Sequence, residues 1–553
     1  MILRGRPVLA DTRTLPACEL PQDTRDRRPG CQTAHAVWAK AGAVASTNRH
    51  AGPKPVQKRS DGPAGDGLSR SGRYTEDGSQ PEATDQMALS ATHPDDPGRT
   101  RRASLTVLII AAVSALGGLL FGYDTGIISA ALLFITRDIP VDTFGKELVT
   151  SAIVAGALVG CLVAGPVSDR VGRRPTILIA AVIFIIGSIA SATSHSATML
   201  IAVRLLLGLA VGGTSQIIPV YIAELAPAAR RGSLVLLFQL AIVVGILVST
   251  IIGWALGGSD GSGGNWRLMF LLGTVPAAIL FLGMLFLPES PRYLVLRGQS
   301  ERALAILRRV RPSDAVAAEE LGAVEAQPRE NGSWKLLFSR RVRPALIAGT
   351  GIGMFCQITG TNATIYYAPS VLASAGFGAD EALQTQLLVG VTIVVATAFG
   401  LWAVDRWGRR TLMLRFLLLA ALGLVLLGGS FIGGNPTGIG RYTAVAGLIA
   451  YEIFNVGSIS ASIWLVGAEV FPLAIRGKGM SMVALSHWTF DLVVSLFTLT
   501  MVQALGAGYA FFVFAAINVL AWVFVLRAVP ETKGRSLEEI EQRLGDGTFL
   551  AMR

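Results

Sequence analysis

Charged residues are scarce in this chain. Asp, Glu, Lys and Arg make up 15% of the 553 residues, whereas hydrophobic residues make up 52%. Because soluble domains carry about 25% charged residues, this composition argues against a soluble protein and favours one embedded in a membrane. The net charge of +11 raises nucleic acid as a partner. However, the basic residues lie in short loops between apolar runs, where they act as topology signals, so we expect no nucleic acid.

Cysteines and catalytic motifs are scarce too. The four cysteines are Cys18 and Cys31 in a polar N-terminal region and Cys161 and Cys356 in apolar runs. Thiols in apolar surroundings usually pack as small hydrophobic residues, so we expect no disulfide and no metal site. The sequence shows no phosphate-binding glycine loop, no cluster with metal-ligand spacing and no nucleophile–base pair outside the apolar runs. We therefore expect neither an enzyme nor a cofactor.

The first 103 residues lack a periodic apolar pattern. They are rich in Arg, Asp, Gly, Pro, Ser and Thr, a composition typical of disorder. No apolar stretch follows the first charges, so they do not form a secretory signal. We interpret residues 1–103 as a disordered leader. The alternative is an over-extended start, with translation beginning at Met87.

Twelve apolar runs follow from Leu105 onward. Each has about 20 residues, enough to cross a hydrocarbon core of about 30 Å. They predict an all-α membrane protein with twelve transmembrane helices in two pseudo-repeats of six. We place an N-terminal six-helix bundle at 104–287, a cytoplasmic linker with short helices at 288–343, a C-terminal six-helix bundle at 344–528 and a cytoplasmic tail at 529–553.

The basic residues orient these helices. One side of the membrane carries only four Lys and Arg residues in its loops, namely Arg137, Lys146, Arg267 and Arg441. The excess on the other side places both termini and the linker in the cytoplasm. Within the linker, apolar residues at 303, 304, 306 and 307 share one face and predict a short amphipathic helix at 300–309. A flexible linker is the alternative.

Three charged motifs occur twice in the chain. Residues 169–174 (DRVGRR) return as 405–410 (DRWGRR), 236 positions later. The two other motifs, around Glu224 and Glu289, return around Glu469 and Glu531 at offsets of 245 and 242. A direct repeat of this kind divides the chain into two parallel halves. Transporters built in this way bind their substrate at the interface between the halves.

With these motifs, the chain resembles the sugar porter family of the major facilitator superfamily, in particular its bacterial proton-linked symporters. The resemblance covers about 105–540 and includes GGLLFGYDTG at 117–126, both DRxGRR loops, Arg204 with Gly208, PESPR at 288–292 and PETKG at 530–534. It implies the major facilitator fold and a secondary active transporter that imports a monosaccharide or polyol by proton symport through alternating access.

Asp124 and Arg204 are isolated charges inside apolar runs. A carboxylate at the centre of a bilayer costs about 2.5–3.5 kcal/mol on insertion scales, so Asp124 requires a proton, a cationic partner or a wet cavity. A buried pair with Arg204 can bind and release a proton as the cavity opens and closes. The resemblance also implies that Asp124 is the proton-coupling site. The alternative is a fixed structural pair in a passive facilitator.

Polar, uncharged side chains are candidates for sugar binding. Gln239 lies on the fifth helix, and Gln357, Asn362 and Tyr366 lie on the seventh, around Gly360, where the helix can bend. Amides and hydroxyls can read the hydroxyls of a sugar. The resemblance implies that Gln239, Gln357 and Asn362 occupy sugar-binding positions. The alternative for each amide is a hydrogen bond between helices.

The resemblance adds aromatic residues to this site. It places Phe121 and Trp488 on the cavity wall and retains Trp464 of the tenth helix. Two departures are present: Cys356 replaces the first of two glutamines, and Ser460 with Ala461 replaces a Gly-Pro pair. We therefore expect fewer hydrogen bonds to the substrate, no flexible kink in the tenth helix, and a preference for a sugar or polyol that differs from the best-known hexose carriers.

His487 and Asp491 are further departures, because many family members carry small amides there. The two residues are four apart on one helical face. They can hydrogen-bond to each other, bind substrate hydroxyls or form a second titrating group. The alternative is a polar patch bonded to neighbouring helices.

The repeated motifs also predict a cytoplasmic charge network. Opposite charges there can form an ionic latch that is closed when the carrier faces outward and broken when it opens inward, although part of the pattern is an ordinary topology signal. The predicted members are Asp169, Arg173, Glu224, Arg231, Glu289, Asp405, Arg409, Glu469, Arg476 and Glu531.

Two other functions remain open from the sequence. One is a passive facilitator for a sugar or inositol, and the other is a transporter-like sugar sensor, which the short tail after Gly534 disfavours. We expect a multi-pass protein of the cell (plasma or inner) membrane that works as a monomer. Its expected partners are a sugar or polyol, a proton and the lipid bilayer.

Overall fold

The computed structural model describes residues 97–257, 264–326 and 333–552. All regular secondary structure in these ranges is helical. Most of the predicted leader lies outside the described residues. The boundary at 103 is nevertheless too late, because the first helix begins at Pro97. Its basic first turns continue beyond the apolar run, and Arg99 pairs with Asp314 at 2.5 Å.

The N-terminal half consists of long apolar helices that cross back and forth. Its helices are α1 (Pro97–Asp138), α2 (Thr143–Val171), α3 (Arg173–Ala192), α4 (Ala197–Leu225), α5 (Arg231–Leu256), α6 (Trp266–Leu271) and α7 (Thr274–Phe286). Small residues let these helices pack closely. For example, a Cβ atom on Gly208 of α4 would lie 2.1 Å from the carbonyl oxygen of Ile153 in α2.

Four short helices follow in the linker: α8 (Pro291–Leu296), α9 (Ser300–Val310), α10 (Asp314–Ala326) and α11 (Trp334–Leu337). The predicted amphipathic helix is therefore present as α9, with Ala303 and Leu307 buried. The linker is divided between the halves. Arg311, after α9, donates to the carbonyl oxygen of Leu225 at the end of α4, whereas Leu337 of α11 belongs to the apolar core of the C-terminal half.

The C-terminal half repeats the plan of the first. Its helices are α12 (Arg343–Ile358), α13 (Thr361–Ser374), α14 (Ala379–Trp407), α15 (Arg409–Gly429), α16 (Ile439–Asn455), α17 (Ala461–Val470), α18 (Arg476–Leu505) and α19 (Ala507–Ala528), followed by α20 (Leu537–Gly545) in the tail. The tail packs onto this half, since Phe549 and Met552 are buried in its core and the Glu531 amide donates to the Met552 carbonyl at 2.8 Å.

The seventh crossing is broken, as its glycine indicated. Gly360 separates α12 from α13 with a φ of 105°, a left-handed conformation that favours glycine. In the described residues, eleven continuous helical spans are long and apolar enough to cross a membrane. The α12–α13 pair is not among these eleven spans, because neither helix is long enough to cross a membrane alone. Together, the two helices supply the twelfth crossing.

The tenth crossing is also irregular. A π-helical turn at Val456–Ser460 separates α16 from α17. Such turns widen a helix locally and are frequent at functional sites. The tenth crossing thus has an irregular backbone although it lacks the Gly-Pro pair.

The two halves meet through α1 with α13, α2 with α18, and α5 with α14. Glu147 of α2 makes a polar contact across this interface: its carboxylate accepts the Thr500 amide at 2.7 Å and the Thr500 hydroxyl at 2.5 Å. At a rise of about 1.5 Å per residue, Glu147 lies about 33 Å along α2 from Asp169. We call the end that carries both DRxGRR loops the basic end. The Glu147–Thr500 contact therefore holds the halves together near the opposite end.

Candidate transport site

Asp124 and Arg204 lie together between α1 and α4. Arg204 Nη2 is 3.3 Å from Asp124 Oδ2, and the two residues are 0% and 7% exposed, respectively. Arg204 is also fixed from other directions: its Nε donates to the carbonyl oxygen of Val149 at 2.7 Å, and its guanidinium lies 5.5 Å from the centre of the Phe270 ring. Arg204 Nη1 has no partner in the described part of the chain. The contact between Asp124 and Arg204 can therefore weaken while Arg204 keeps its position.

Asp491 lies at a second buried polar position, on α18. It is 1% exposed, and its Oδ2 accepts the Tyr366 hydroxyl at 3.4 Å. The Asn362 side chain lies beside this carboxylate. Asp491 Oδ1 has no partner among the described residues. The structure thus brings together three of the predicted substrate-binding residues.

His487 bonds to the broken seventh crossing. The Gln357 side-chain nitrogen lies 2.9 Å from His487 Nε2 and 3.2 Å from Nδ1. Gln357 Oε1 is buried without a partner in the described ranges. The possible bond between His487 and Asp491 is not among the described hydrogen bonds. These residues instead contact two different parts of the broken crossing, through Gln357 on α12 and Tyr366 on α13.

Aromatic rings connect the halves beside these polar groups. Phe121 of α1 and Trp488 of α18 have ring centres 5.4 Å apart. Trp488 lies 5.6 Å from His487, which in turn lies 5.4 Å from Trp464 of α17. The three predicted aromatic residues therefore form one contiguous group with His487, in which Phe121 contacts Trp488. Gln239 is partly exposed on α5, and no described hydrogen bond joins it to this group.

Comparisons with known proteins agree with this architecture. The family described as "Sugar (and other) transporter" matches residues 110–544. The chain belongs to this family. Its relatives include the D-xylose transporter of Levilactobacillus brevis, which is 38% identical over 438 residues that cover 78% of this chain and 94% of the relative. The arabinose-proton symporter of Bacillus subtilis (strain 168) is 37% identical over 442 residues, covering 79% and 94%.

Solved structures place this sugar transporter in the major facilitator superfamily. The inward-open xylose transporter XylE from E. coli matches with a TM-score of 0.68 and 29% identity, covering 79% of this chain and 99% of that one. The proton:xylose symporter XylE bound to 6-bromo-6-deoxy-D-glucose matches with a TM-score of 0.65 and 30% identity, again covering 79% and 99%. The transporter thus has the twelve-helix major facilitator fold predicted from its sequence.

The transporter contains a buried carboxylate that the sequence analysis missed. Glu452 on α16 is 0% exposed; its Oε1 accepts the Thr364 hydroxyl, and its Oε2 has no partner in the described residues. Nearby, the Thr361 hydroxyl donates to Asn455 Oδ1 at 2.6 Å, and Asn455 Nδ2 donates to Asn518 at 3.2 Å. An isolated charge in an apolar run, the signal that identified Asp124, would have found Glu452.

At the basic end, each half of the transporter forms its own charge cluster. In the first, Arg173 lies 3.0 Å from Asp169 and 3.2 Å from Glu224. Glu289 accepts the backbone amides of Arg173 and Arg174 at 3.0 and 3.2 Å. These amides belong to the first turn of α3, where a helix has unpaired donors and attracts an anion.

The second cluster repeats this geometry. Arg409 lies 3.5 Å from Asp405 and 2.8 Å from Glu469, and Glu531 accepts the Arg409 backbone amide at 3.0 Å. No ion pair in the described ranges joins one cluster to the other. The predicted network is therefore present as two separate parts, each within its half.

Two predicted members lie outside both clusters. Arg231 is exposed at the start of α5, and Arg476 Nε has no hydrogen-bond partner among the described residues. Arg476 instead lies near Glu538 of the tail. The pKa of the Glu538 carboxyl is lowered mainly by hydrogen bonds from its own backbone and Ser536, and further by the charge of Arg476. Arg231 and Arg476 occupy equivalent positions in the repeated motif, but the repeat did not indicate which residues they would contact.

Proposed function

We propose that the protein imports a monosaccharide or polyol together with a proton, by alternating access. The observation that carries this proposal is the buried Asp124–Arg204 pair, with 3.3 Å between Oδ2 and Nη2. Two similar proteins support it by their described activities, namely an arabinose-proton symporter and the proton:xylose symporter XylE.

The proton acts at Asp124. Protonation removes its charge and weakens its attraction to Arg204, while Arg204 stays attached to α2 through the Val149 carbonyl. The link between α1 and α4 is thereby loosened. Because a charged group is costly in the bilayer interior, the neutral carboxyl tolerates the movement that the charged one resists.

Helix α1 transmits this change to the substrate. Phe121 is one turn before Asp124, so the two side chains lie on neighbouring positions of one helical face. Phe121 also packs against Trp488 of the opposite half. A shift of α1 on protonation therefore alters the contact between the halves at the site where the sugar binds.

The substrate site combines polar groups on the broken seventh crossing with aromatic side chains. Sugar hydroxyls exchange hydrogen bonds with the polar groups, and an aromatic ring covers an apolar face of the sugar. The proposed substrate-binding residues are Phe121, Gln239, Gln357, Asn362, Tyr366, Trp464, Trp488 and Asp491.

The charge clusters and the interface regulate access to the site. The Glu147–Thr500 contact closes the end opposite the basic end, while each cluster stays within its own half. We place the transporter in the cell (plasma or inner) membrane as a monomer, with both termini and the linker cytoplasmic. Labelling of single cysteines from either side of sealed vesicles tests this orientation.

Uptake into proteoliposomes tests the coupling. Radiolabelled pentoses, hexoses and inositol are offered with and without an inward proton gradient. We expect the gradient to drive accumulation above the external concentration, and we expect Asp124→Asn to abolish that accumulation. Asp138→Asn is the matched control, because it makes the same change on α1, where Asp138 is exposed and pairs with Arg267 at 3.5 Å.

The same assay separates the alternatives. Wild-type protein that only equilibrates the sugar, whatever the gradient, is a passive facilitator. Gradient-driven accumulation that survives in Asp124→Asn refutes the assigned coupling residue. Loss of accumulation in both Asp124→Asn and Asp138→Asn points instead to general damage of α1.

A further inference from the structure

Asp491 is a buried carboxylate without a counter-ion. None of the ion pairs within 4.0 Å in the described ranges includes it. The two side chains that contact its carboxylate are neutral: Tyr366 donates to Oδ2, and Asn362 lies beside it. A buried charge that lacks a partner is strongly unfavourable. Asp491 thus differs from Asp124, whose charge is balanced by Arg204.

Among the described residues, two buried acceptor atoms of the candidate site lack a donor. Asp491 Oδ1 and Gln357 Oε1 are both buried without partners in the part of the chain that the structure describes. The Gln357 amide nitrogen is already engaged with His487, and the Tyr366 hydroxyl is engaged with Asp491. A ligand that completes this site must therefore supply donors, and a positively charged donor would also balance the carboxylate.

Aromatic rings next to Asp491 favour the same kind of ligand. Trp488 lies one helical turn before it on α18 and packs against Phe121. Trp464 packs against His487, which in turn packs against Trp488. The faces of tryptophan and phenylalanine rings attract cations. A carboxylate with neighbouring rings suits an ammonium group, which has three donors and no acceptor.

We propose that the preferred substrate is an amine-bearing sugar or cyclitol whose ammonium group pairs with Asp491. This inference rests on the proposed transport function and specifies its substrate class. The ammonium donates to Asp491 Oδ1, and hydroxyls of the substrate donate to Gln357 Oε1.

Matched substrate pairs test this proposal. Uptake by wild-type proteoliposomes is measured for glucosamine with glucose, galactosamine with galactose, and an inosamine with myo-inositol, at a pH where the amines are protonated. We expect at least one amine to be preferred over its neutral counterpart by tenfold or more in initial rate at low concentration. Asp491→Asn should reduce amine uptake at least tenfold and change neutral uptake much less.

Two variants control for indirect effects. Glu452→Gln neutralises an equally buried carboxylate outside the group around Asp491 and should retain the amine preference. Asp124→Asn should abolish gradient-driven accumulation and still show tighter amine binding when substrates compete in a binding assay. The amine preference is thereby separated from proton coupling.

The outcomes are distinct. Proton-driven uptake of neutral sugars with no amine preference overturns this inference and leaves the proposed function intact. Equal losses of amine and neutral uptake in Asp491→Asn also overturn it. Loss of the preference in Glu452→Gln shows that burial of charge in general, rather than Asp491, sets specificity. Amine transport that ignores the proton gradient refutes the proposed coupling and retains the substrate class.

Discussion

The contact between Glu147 and Thr500 should set the balance between the two conformations of the carrier. Glu147 is fully buried on α2, and its carboxylate accepts two hydrogen bonds from Thr500 on α18, at 2.7 and 2.5 Å. When the halves separate at this end, both bonds are lost. Glu147→Ala removes them in the present conformation and leaves the separated conformation nearly unchanged. The variant should therefore favour separation.

The size of the shift follows from the two bonds. Hydrogen bonds to charged groups contribute about 1.5–3 kcal/mol each. In the separated conformation, water forms hydrogen bonds with the same groups and offsets part of this free energy. We therefore use about 2 kcal/mol for the two bonds together. At 1.4 kcal/mol per factor of ten, the equilibrium moves about thirtyfold. A separated conformation populated at about 1% would then rise to about one quarter of the molecules.

Distances between spin labels measure this population. Labels are attached at His195→Cys, in the loop before α4, and at Tyr509→Cys, in the first turn of α19, after the native cysteines have been replaced. Both positions are exposed and lie at the end opposite the basic end, one in each half. We expect Glu147→Ala to add a longer distance component in double electron–electron resonance.

A matched variant controls for the loss of a carboxylate at this end. Glu381 pairs with Arg441 at 3.2 Å, and both residues belong to the C-terminal half. Glu381→Ala therefore breaks a contact within one half and should leave the distance distribution as in the wild type. A Glu147→Ala protein without the longer component, or a Glu381→Ala protein with the same component, refutes the reasoning.

Three further predictions follow from other parts of the structure. Gly360→Ala should lower the melting temperature and slow uptake, because the left-handed conformation costs an L-residue about 1–2 kcal/mol and the new Cβ would lie 2.9 Å from the Phe514 ring; scanning fluorimetry and uptake measure both effects. Arg173→Ala or Arg409→Ala should reduce the maximal uptake rate several-fold with KM changed less than twofold; a large change in KM alone would contradict this. Glu452→Leu should destabilise the protein by about 0.5–1.5 kcal/mol, since it removes the hydrogen bond from Thr364 while the Thr361 carbonyl still accepts that hydroxyl at 2.7 Å, whereas Glu452→Gln, which keeps an acceptor, should melt close to the wild type; equal losses would contradict this.

The sequence predicted the architecture because its signals act over whole segments. The length of the apolar runs and the repeat of charged motifs do not depend on how each helix is rotated. Gly360 likewise indicated the break in the seventh crossing through its own conformational freedom. At the tenth crossing, the absence of a Gly-Pro pair gave no indication of the π-helical turn at Val456–Ser460.

Individual partners were harder to predict. A membrane helix is apolar on its lipid-facing and its core-facing sides, so its periodicity does not fix its rotation. Asp124 and Arg204 could be paired because few other charges lie at that depth. His487 and Asp491 share a helical face, yet they bond to Gln357 and Tyr366 instead.

The divided linker has a consequence for how the molecule can be built. Helices α8–α10 are attached to the first half, where Arg311 after α9 donates to the Leu225 carbonyl at the end of α4. Helix α11 is part of the core of the second half. The described contacts with the first half end with α10, and those with the second half begin with α11. The two halves should therefore be separable between α10 and α11 into two polypeptides, each retaining its own linker helices. Such a pair would reassemble through the interfaces of α1, α2 and α5. The covalent connection would then keep the two halves together without transmitting movement between them.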